Sequence, residues 1–185
     1  MNGKVILDLC GGTGAWSKPY QDNGYDVRVV TLPGDVRLFK WLEGPIYGVL
    51  AAPPCTHLAG SGARWWAEKG EGKLLEALSV VDACLRIILI ANPVFWALEN
   101  PIGRLTNYLG KPQMYFNPAD YSDGYTKRTA LWGRFNIPKP TYKPEFGDLS
   151  WKKSSMHLIP PSEDRAKLRS ITPAGFAQAF YEANK

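Results

Sequence analysis

Residues 5–14 run Val5-Ile6-Leu7-Asp8-Leu9-Cys10-Gly11-Gly12-Thr13-Gly14, and this stretch decides the fold class. A short apolar strand enters a glycine turn, and Ala15 to Gln21 then opens a helix. Strand, glycine turn, helix is how an α/β sheet receives a nucleotide-like ligand, because glycines let the ligand approach the backbone. The spacing is not GxGxxG, and no GK[ST] makes it a phosphate loop. Taken alone, a tight structural turn competes with the binding reading. Asp8 orients the turn or caps the amides of Gly11 to Gly14, and the two roles are compatible.

Working outward, Val49-Leu50-Ala51-Ala52-Pro53-Pro54-Cys55-Thr56 is a second apolar strand that stops at two prolines. Proline cannot continue a ladder and stiffens the exit. Cys55 is therefore held on a rigid corner at the sheet edge where α/β folds bind ligands. A nucleophile belongs at such a corner; a buried structural cysteine is the plain alternative. Val94-Phe95-Trp96-Ala97-Leu98-Glu99-Asn100-Pro101 is a third strand, expected to end in an acid, an amide and a proline. Glu99 is expected on the same edge as Cys55, either as a solvated helix cap or as a desolvated proton donor.

The 185 residues suffice for one domain with a proper core, and an apolar content of 45% excludes a disordered chain. A net charge of +5 suits a polyanionic partner only weakly. Three cysteines without metal spacing fit a reducing compartment, and no metal site is read. No signal peptide or membrane-length apolar run is visible, so a cytoplasmic protein with no membrane partner is expected. Strands are predicted near 4–9, 26–31, 47–52, 94–98, 113–117 and 130–135. Helices are predicted near 15–23, 36–43, 73–91, 102–109 and 173–184, the last with Thr172 as N-cap and Pro173 at the first position. This alternation predicts an α/β fold with a mostly parallel sheet and helices on both faces. The Gly-rich loop 57–72 follows the cysteine and can close over a substrate. Its Arg64, Trp65 and Trp66 could meet phosphate and a base face, or pack on the core. His57 admits a Cys–His pair with Cys55, and loop or substrate contact is favoured over it. His157 reads as a partly buried polar residue.

Asp8 to Gly14, then Pro54-Cys55, then Glu99-Asn100-Pro101, in that order, resemble the cytosine C5 DNA methyltransferases. Lys127-Arg128-Thr129-Ala130-Leu131-Trp132 resembles the run found in short phage-type relatives. The resemblance covers most of residues 4–135. It implies a Rossmann-like class I fold dependent on S-adenosylmethionine. The cofactor set it implies is Asp8, Leu9, Cys10, Gly11, Gly12, Thr13, Gly14, Asp35 and Pro53. The catalytic set is Cys55 as nucleophile with Pro54 before it, Glu99 as acid with Asn100 and Pro101 fixing its approach, and Lys127 or Arg128 on the base oxygen or a phosphate. The chain departs from the family at Cys10, where an aromatic residue is usual, and at Val29-Val30-Thr31-Leu32, which offers no acid for the ribose.

The resemblance implies transfer of a methyl group to C5 of cytosine in DNA, within a bacterial or phage-infected cell. The base must be flipped out of a duplex or already single-stranded. Residues 136–168 stand in place of a target-recognition domain, and about thirty residues are too few for a separate one. The same chemistry on a single strand or a free cytosine nucleotide therefore stays open. So does a catalytically weak methyltransferase-like protein that binds nucleic acid or a protein partner. A nicotinamide-type dinucleotide enzyme is disfavoured by the glycine spacing.

Overall fold

Alternation along each strand sorts the apolar residues onto two faces. In the computed structural model, residues 3–40, 44–142 and 170–185 are described. The elements run β1 (Val5–Leu9), α1 (Lys18–Asp22), β2 (Asp26–Val30), β3 (Ile46–Ala51), α2 (Trp66–Ala91) and β4 (Phe95–Pro101). They continue with α3 (Thr106–Leu109), β5 (Met114–Phe116), β6 (Thr129–Arg134) and α4 (Ala174–Ala183). The strands form one six-stranded sheet in the order β2-β1-β3-β4-β6-β5. The first four strands pair in parallel. β6 reverses and pairs antiparallel with both β4 and β5.

One face is mainly aliphatic. Leu7, Leu9, Val49, Ala51 and Leu98 pack there against Val81, Cys84, Ile87 and Ile88 of α2. The other face is aromatic. Ile6, Leu50, Ala97 and Leu131 meet Trp16, Tyr20, Phe176 and Phe180 beside α1 and α4. Period-two alternation thus serves both layers at once, because the central strands β1, β3 and β4 are covered on both sides. The expected helices on both faces are present.

Several boundaries differ from expectation. The helix expected over 15–23 shortens to Lys18–Asp22. That expected over 36–43 is a 3-10 turn, Val36–Leu38, with 41–43 outside the described residues. The 102–109 helix reduces to the single turn Thr106–Leu109. The loop expected over 57–72 instead contains a 3-10 segment, Gly60–Trp65, and the first turn of α2, broken at Gly70 (φ 71°). The 136–168 insertion lies outside the described residues from 143 onward, His157 included. Thr172 does not cap α4, and Pro173 stands at the cap position with no side-chain bond. The capping groups come from far along the chain. Asp123 Oδ1 accepts from Gly175 N at 3.1 Å, and Oδ2 accepts from Phe176 N at 3.2 Å.

A carboxylate on two orphan amides is a strong N-cap, and losing one typically costs ~1 kcal/mol, up to ~2. Asp123→Ala should therefore lower the urea-unfolding free energy by about 1–2 kcal/mol. An unchanged midpoint would show that α4 is held by its aromatic face alone.

Candidate active site

Parallel β1, β3 and β4 deliver their C-terminal ends to one edge of the sheet, with Leu9 opposite Ala51 and Ala51 opposite Leu98. The Gly11–Gly14 turn and the Pro53-Pro54-Cys55 corner follow directly from that edge. Glu99 and Asn100 lie inside β4 rather than beyond it, which corrects the expected strand end at 98. β6 is the reason. It pairs Leu131 with Glu99, Ala130 with Asn100 and Thr129 with Pro101, so β4 stays extended to Pro101. The reversal of β6 also brings its first residues to the same edge, which sets Lys127 beside Glu99.

The glycine turn is built on Asp8, a buried carboxyl. Ser17 donates to Asp8 Oδ2 at 2.5 Å, while Oδ1 is buried without a partner. A Cβ on Gly11 would lie 2.3 Å from the Asp8 carboxyl carbon, so only glycine lets the turn settle there. Gly12 takes φ +55°, and the space where its Cβ would point is open to 4 Å. An open, glycine-lined turn at the end of β1 fits a ligand that approaches the backbone. Thr13 stands between Gly12 and Gly14 on this turn. Burial raises the Asp8 pKa to about 6, with Ser17 opposing the shift. Cys10 takes a left-handed conformation (φ 57°), and its N–H donates to Val30 O at 2.7 Å. Its thiol is hydrogen-bonded with that of Cys84 in the aliphatic layer, which lowers the Cys10 pKa and raises that of Cys84.

Asp35 is engaged locally. It accepts from Arg37 N at 2.9 Å and pairs with the Arg37 guanidinium at 2.7 Å, which holds its pKa below the ordinary value. Any contact to a ligand must share that carboxylate with Arg37.

Asn100 is fully buried, and its Nδ2 donates to Pro53 O at 2.9 Å. The end of β4 is thereby tied to the corner that carries Cys55. The segment after Cys55 is stitched to the segment after Pro101 as well. Gly60 N donates to Ile102 O at 2.8 Å and Arg104 N to Leu58 O at 2.9 Å, around an Ala59–Gly103 bridge. A Cβ on Gly103 would lie 2.0 Å from Leu58 O, so the seam closes only on glycine. Cys55 itself is half-buried. Leu58 N and Ala59 N both donate to its carbonyl at 2.9 Å.

Glu99 is 16% exposed and stands 3.9 Å from Lys127 Nζ. Burial raises its pKa, and the Lys127 ammonium offsets part of that rise. Lys127 and Arg128 part company. Arg128 is exposed and lies over the Tyr115 ring, 4.9 Å from its centroid, so the structure brings only Lys127 to Glu99. His57 Nδ1 is buried without a hydrogen-bond partner, so no Cys–His pair forms through it. Burial, then Lys69 and Lys73, lowers its pKa. Trp65 is 47% exposed with Arg64 over its ring, while Trp66 is half-buried under Arg104, whose guanidinium carbon is 3.9 Å from the ring centroid. Trp66 thus packs, and Trp65 remains available at the surface. Ser17, Gly103 and Arg104 carry no motif and were not expected in the site. Only Ser17 had a signal, a hydroxyl three residues beyond the glycine turn.

No family model matches this sequence, and no curated protein matches it. In the solved structures, the chain is similar to an E. coli prophage protein provisionally assigned as a DNA modification methyltransferase. Identity is 17% and the TM-score 0.49, over 79% of this chain and 52% of that one, so this chain spans about half of that protein's length. Among the described residues, no helix is long and apolar enough to cross a membrane.

The Asp8 shift sets a pH dependence. Between its ordinary pKa of 3.8 and about 6, the folded chain holds a proton that the unfolded chain has lost. Stability through this group is then greatest at low pH and falls as pH rises through that window. About two pKa units correspond to about 3 kcal/mol at most. Asp8→Asn should therefore gain stability relative to wild type between pH 4 and 7, by a double difference of about 1–3 kcal/mol in urea unfolding. Parallel stability–pH curves for the two proteins would show that the buried carboxyl keeps its ordinary pKa.

Proposed function

We propose that the chain transfers a methyl group from S-adenosylmethionine to C5 of cytosine in DNA, on a Rossmann-like class I scaffold. One observation carries the proposal. The Asn100–Pro53 bond joins the Cys55 corner to the strand that holds a half-buried Glu99, on the edge that also bears the glycine turn. A nucleophile, a proton donor and a ligand turn thus come from three distant segments.

The Asp8–Gly14 turn with Leu9, Cys10, Asp35 and Pro53 would hold the cofactor, and its open face at Gly12 fits one. S-adenosylmethionine supplies an electrophilic methyl group there. The residues of the chain prepare the base. Cytosine C5 is too weak a nucleophile on its own. Cys55 Sγ, as thiolate, adds to C6 and leaves C5 enamine-like. Glu99 gives a proton or hydrogen bond at N3 as electron density moves into the ring. After methylation the C5 proton leaves to a base, the N3 proton returns to Glu99, the C6–S bond breaks, and the thiolate is restored. Burial favours protonated Glu99, as a donor needs, and the Lys127 ammonium opposes that rise. Asn100 and Pro54 fix the corner. DNA is the proposed partner, with the target base flipped out or in a single strand.

Cys55→Ser should abolish transfer while leaving binding of the demethylated cofactor product intact, because a serine hydroxyl is a far poorer nucleophile. An oligonucleotide with 5-fluorocytosine should trap wild type covalently, since fluorine cannot leave as the proton does. Mapping of the adduct to Cys10 or Cys84 would refute the mechanism.

Glu99→Gln keeps the shape but cannot give a proton. General acid help is worth ~10²–10⁴-fold, so the methylation rate should fall by about that factor with little change in DNA binding. A drop of less than roughly threefold would return Glu99 to a structural role.

A further inference from the structure

Among the described residues, the aromatic side chains that stand largely exposed are Trp65 at 47%, Tyr108 at 50% and Tyr115 at 40%. A single exposed ring is ordinary on a protein surface. Here all of them gather near one edge of the sheet. Trp65 follows the Cys55 corner, Tyr108 sits in α3 just beyond β4, and Tyr115 is in β5, which flanks β6. Trp65 and Tyr115 also carry an arginine. The Arg64 guanidinium lies 5.0 Å from the Trp65 ring centroid, and that of Arg128 lies 4.9 Å from the Tyr115 ring centroid. Each ring keeps its exposure with the arginine in place, so room for a second partner remains. An arginine over a ring presets both halves of a single-strand contact, a π-face for a base and N–H donors for a phosphate.

Both pairs are held close to the candidate catalytic groups. Ahead of Trp65, Gly60 N donates to Ile102 O just past β4. Behind it, Lys69 Nζ donates at 3.2 Å to Thr56 O, beside Cys55. On the other side, Leu131 of β6 pairs with both Glu99 and Met114, so β5 runs about 10 Å from Glu99, two strand spacings. Alternation then fixes the faces. Met114 and Phe116 belong to the aromatic layer, so Tyr115 points to the α2 side, where its partner Ala130 packs. Trp65 leads into α2 itself. Glu99 pairs with Leu131 of the aromatic layer and faces the opposite way. A DNA strand resting on Trp65 and Tyr115 would therefore lie on the α2 side and turn its target base across the edge to reach Glu99. Chemistry on a base needs that turned-out arrangement.

We infer that the Arg64–Trp65 and Arg128–Tyr115 pairs are stacking platforms for unpaired DNA bases next to the target cytosine. This rests on the proposed reaction on DNA and adds the state of the substrate, unpaired at the neighbours of the target as well as at the target. Fluorescence anisotropy with two labelled single-stranded oligonucleotides tests it. Both carry one cytosine, and in the second the neighbouring nucleotides are abasic. Wild type should prefer the first by at least about fivefold, the low end of what one stacked base contributes. In Trp65→Ala/Tyr115→Ala the preference should fall to within about twofold, while Trp65→Phe/Tyr115→Phe should retain it, because a ring remains. Both variants should bind the demethylated cofactor product as wild type does. Equal wild-type affinity for the two oligonucleotides overturns the inference without any variant. So does a preference that survives the alanine substitutions, or tighter binding of a duplex than of the single strand. Loss of cofactor-product binding in the alanine variant also overturns it, because the rings then hold the fold rather than a strand. Covalent trapping of 5-fluorocytosine at Cys55 in any of these cases leaves the proposed reaction standing. Wild type that binds the cofactor product but neither single-stranded nor duplex DNA overturns that reaction, and this inference with it.

Discussion

The site depends on the hydrogen bond from Asn100 Nδ2 to Pro53 O, 2.9 Å long and buried. β3 and β4 pair through Ala51 and Leu98 and no further. Beyond that point Pro53 and Pro54 have no N–H to offer a neighbouring strand. The Pro53 carbonyl would be left buried without a donor, at a cost of about 1–3 kcal/mol. A side-chain amide replaces the missing rung. Asparagine suits the place because it donates to the corner while its own backbone remains in the β4–β6 ladder. The same bond fixes how the Cys55 corner sits against Glu99, so a device that satisfies one carbonyl also sets the spacing of the candidate catalytic pair.

Two carboxyls share this edge and are pushed the same way for the same reason. Asp8 and Glu99 both lose hydration, and both have raised pKa values. Their compensations differ. Asp8 has a neutral hydroxyl from Ser17, which adds no charge to the turn. Glu99 has an ammonium at 3.9 Å, long for a tight ion pair and still close enough to temper the effect of burial. Asp8 is locked under a glycine turn, whereas Glu99 retains some exposure and faces a cavity. One carboxyl supports backbone geometry; the other is the one proposed above as a proton donor.

Much of the fold was legible in the sequence. Among the parallel strands, β1 and β3 read correctly because each is a short apolar run that stops at a turn signal, Gly11 or Pro53. The Gly11–Gly14 turn and the Cys55 corner follow the ends of β1 and β3, as the sequence leads one to expect. What was illegible depends on long-range pairing. Nothing local says that Thr129–Arg134 inserts antiparallel beside β4, and so nothing local says that Glu99 lies within a strand. Lys127 and Arg128 lead into β6, so which of them stands beside Glu99 is settled only once β6 is placed against β4. The Asp123 cap on α4 was hidden for the same reason, since Thr172-Pro173 is a sound local signal that a distant carboxylate overrides.

The aromatic face links these long-range features to the chemistry. Trp16, Tyr20, Phe95, Phe116, Phe176 and Phe180 form one contiguous cluster that spans α1, β4, β5 and α4. Aromatic pairs contribute about 0.5–1.5 kcal/mol beyond area burial, and their preference for edge or offset contact fixes orientation as well as distance. Trp16 meets Phe180 edge-on at 5.4 Å, so the helix after the glycine turn is keyed to α4. Tyr20 stacks on Phe95 at 5.8 Å, which keys the same region to the start of the strand that carries Glu99. The opposite face is aliphatic and joins α2 to the sheet with less directional packing. The side of the sheet that Glu99 faces is therefore the one whose packing is directional, which suits the orienting role proposed for that carboxyl better than the aliphatic layer would.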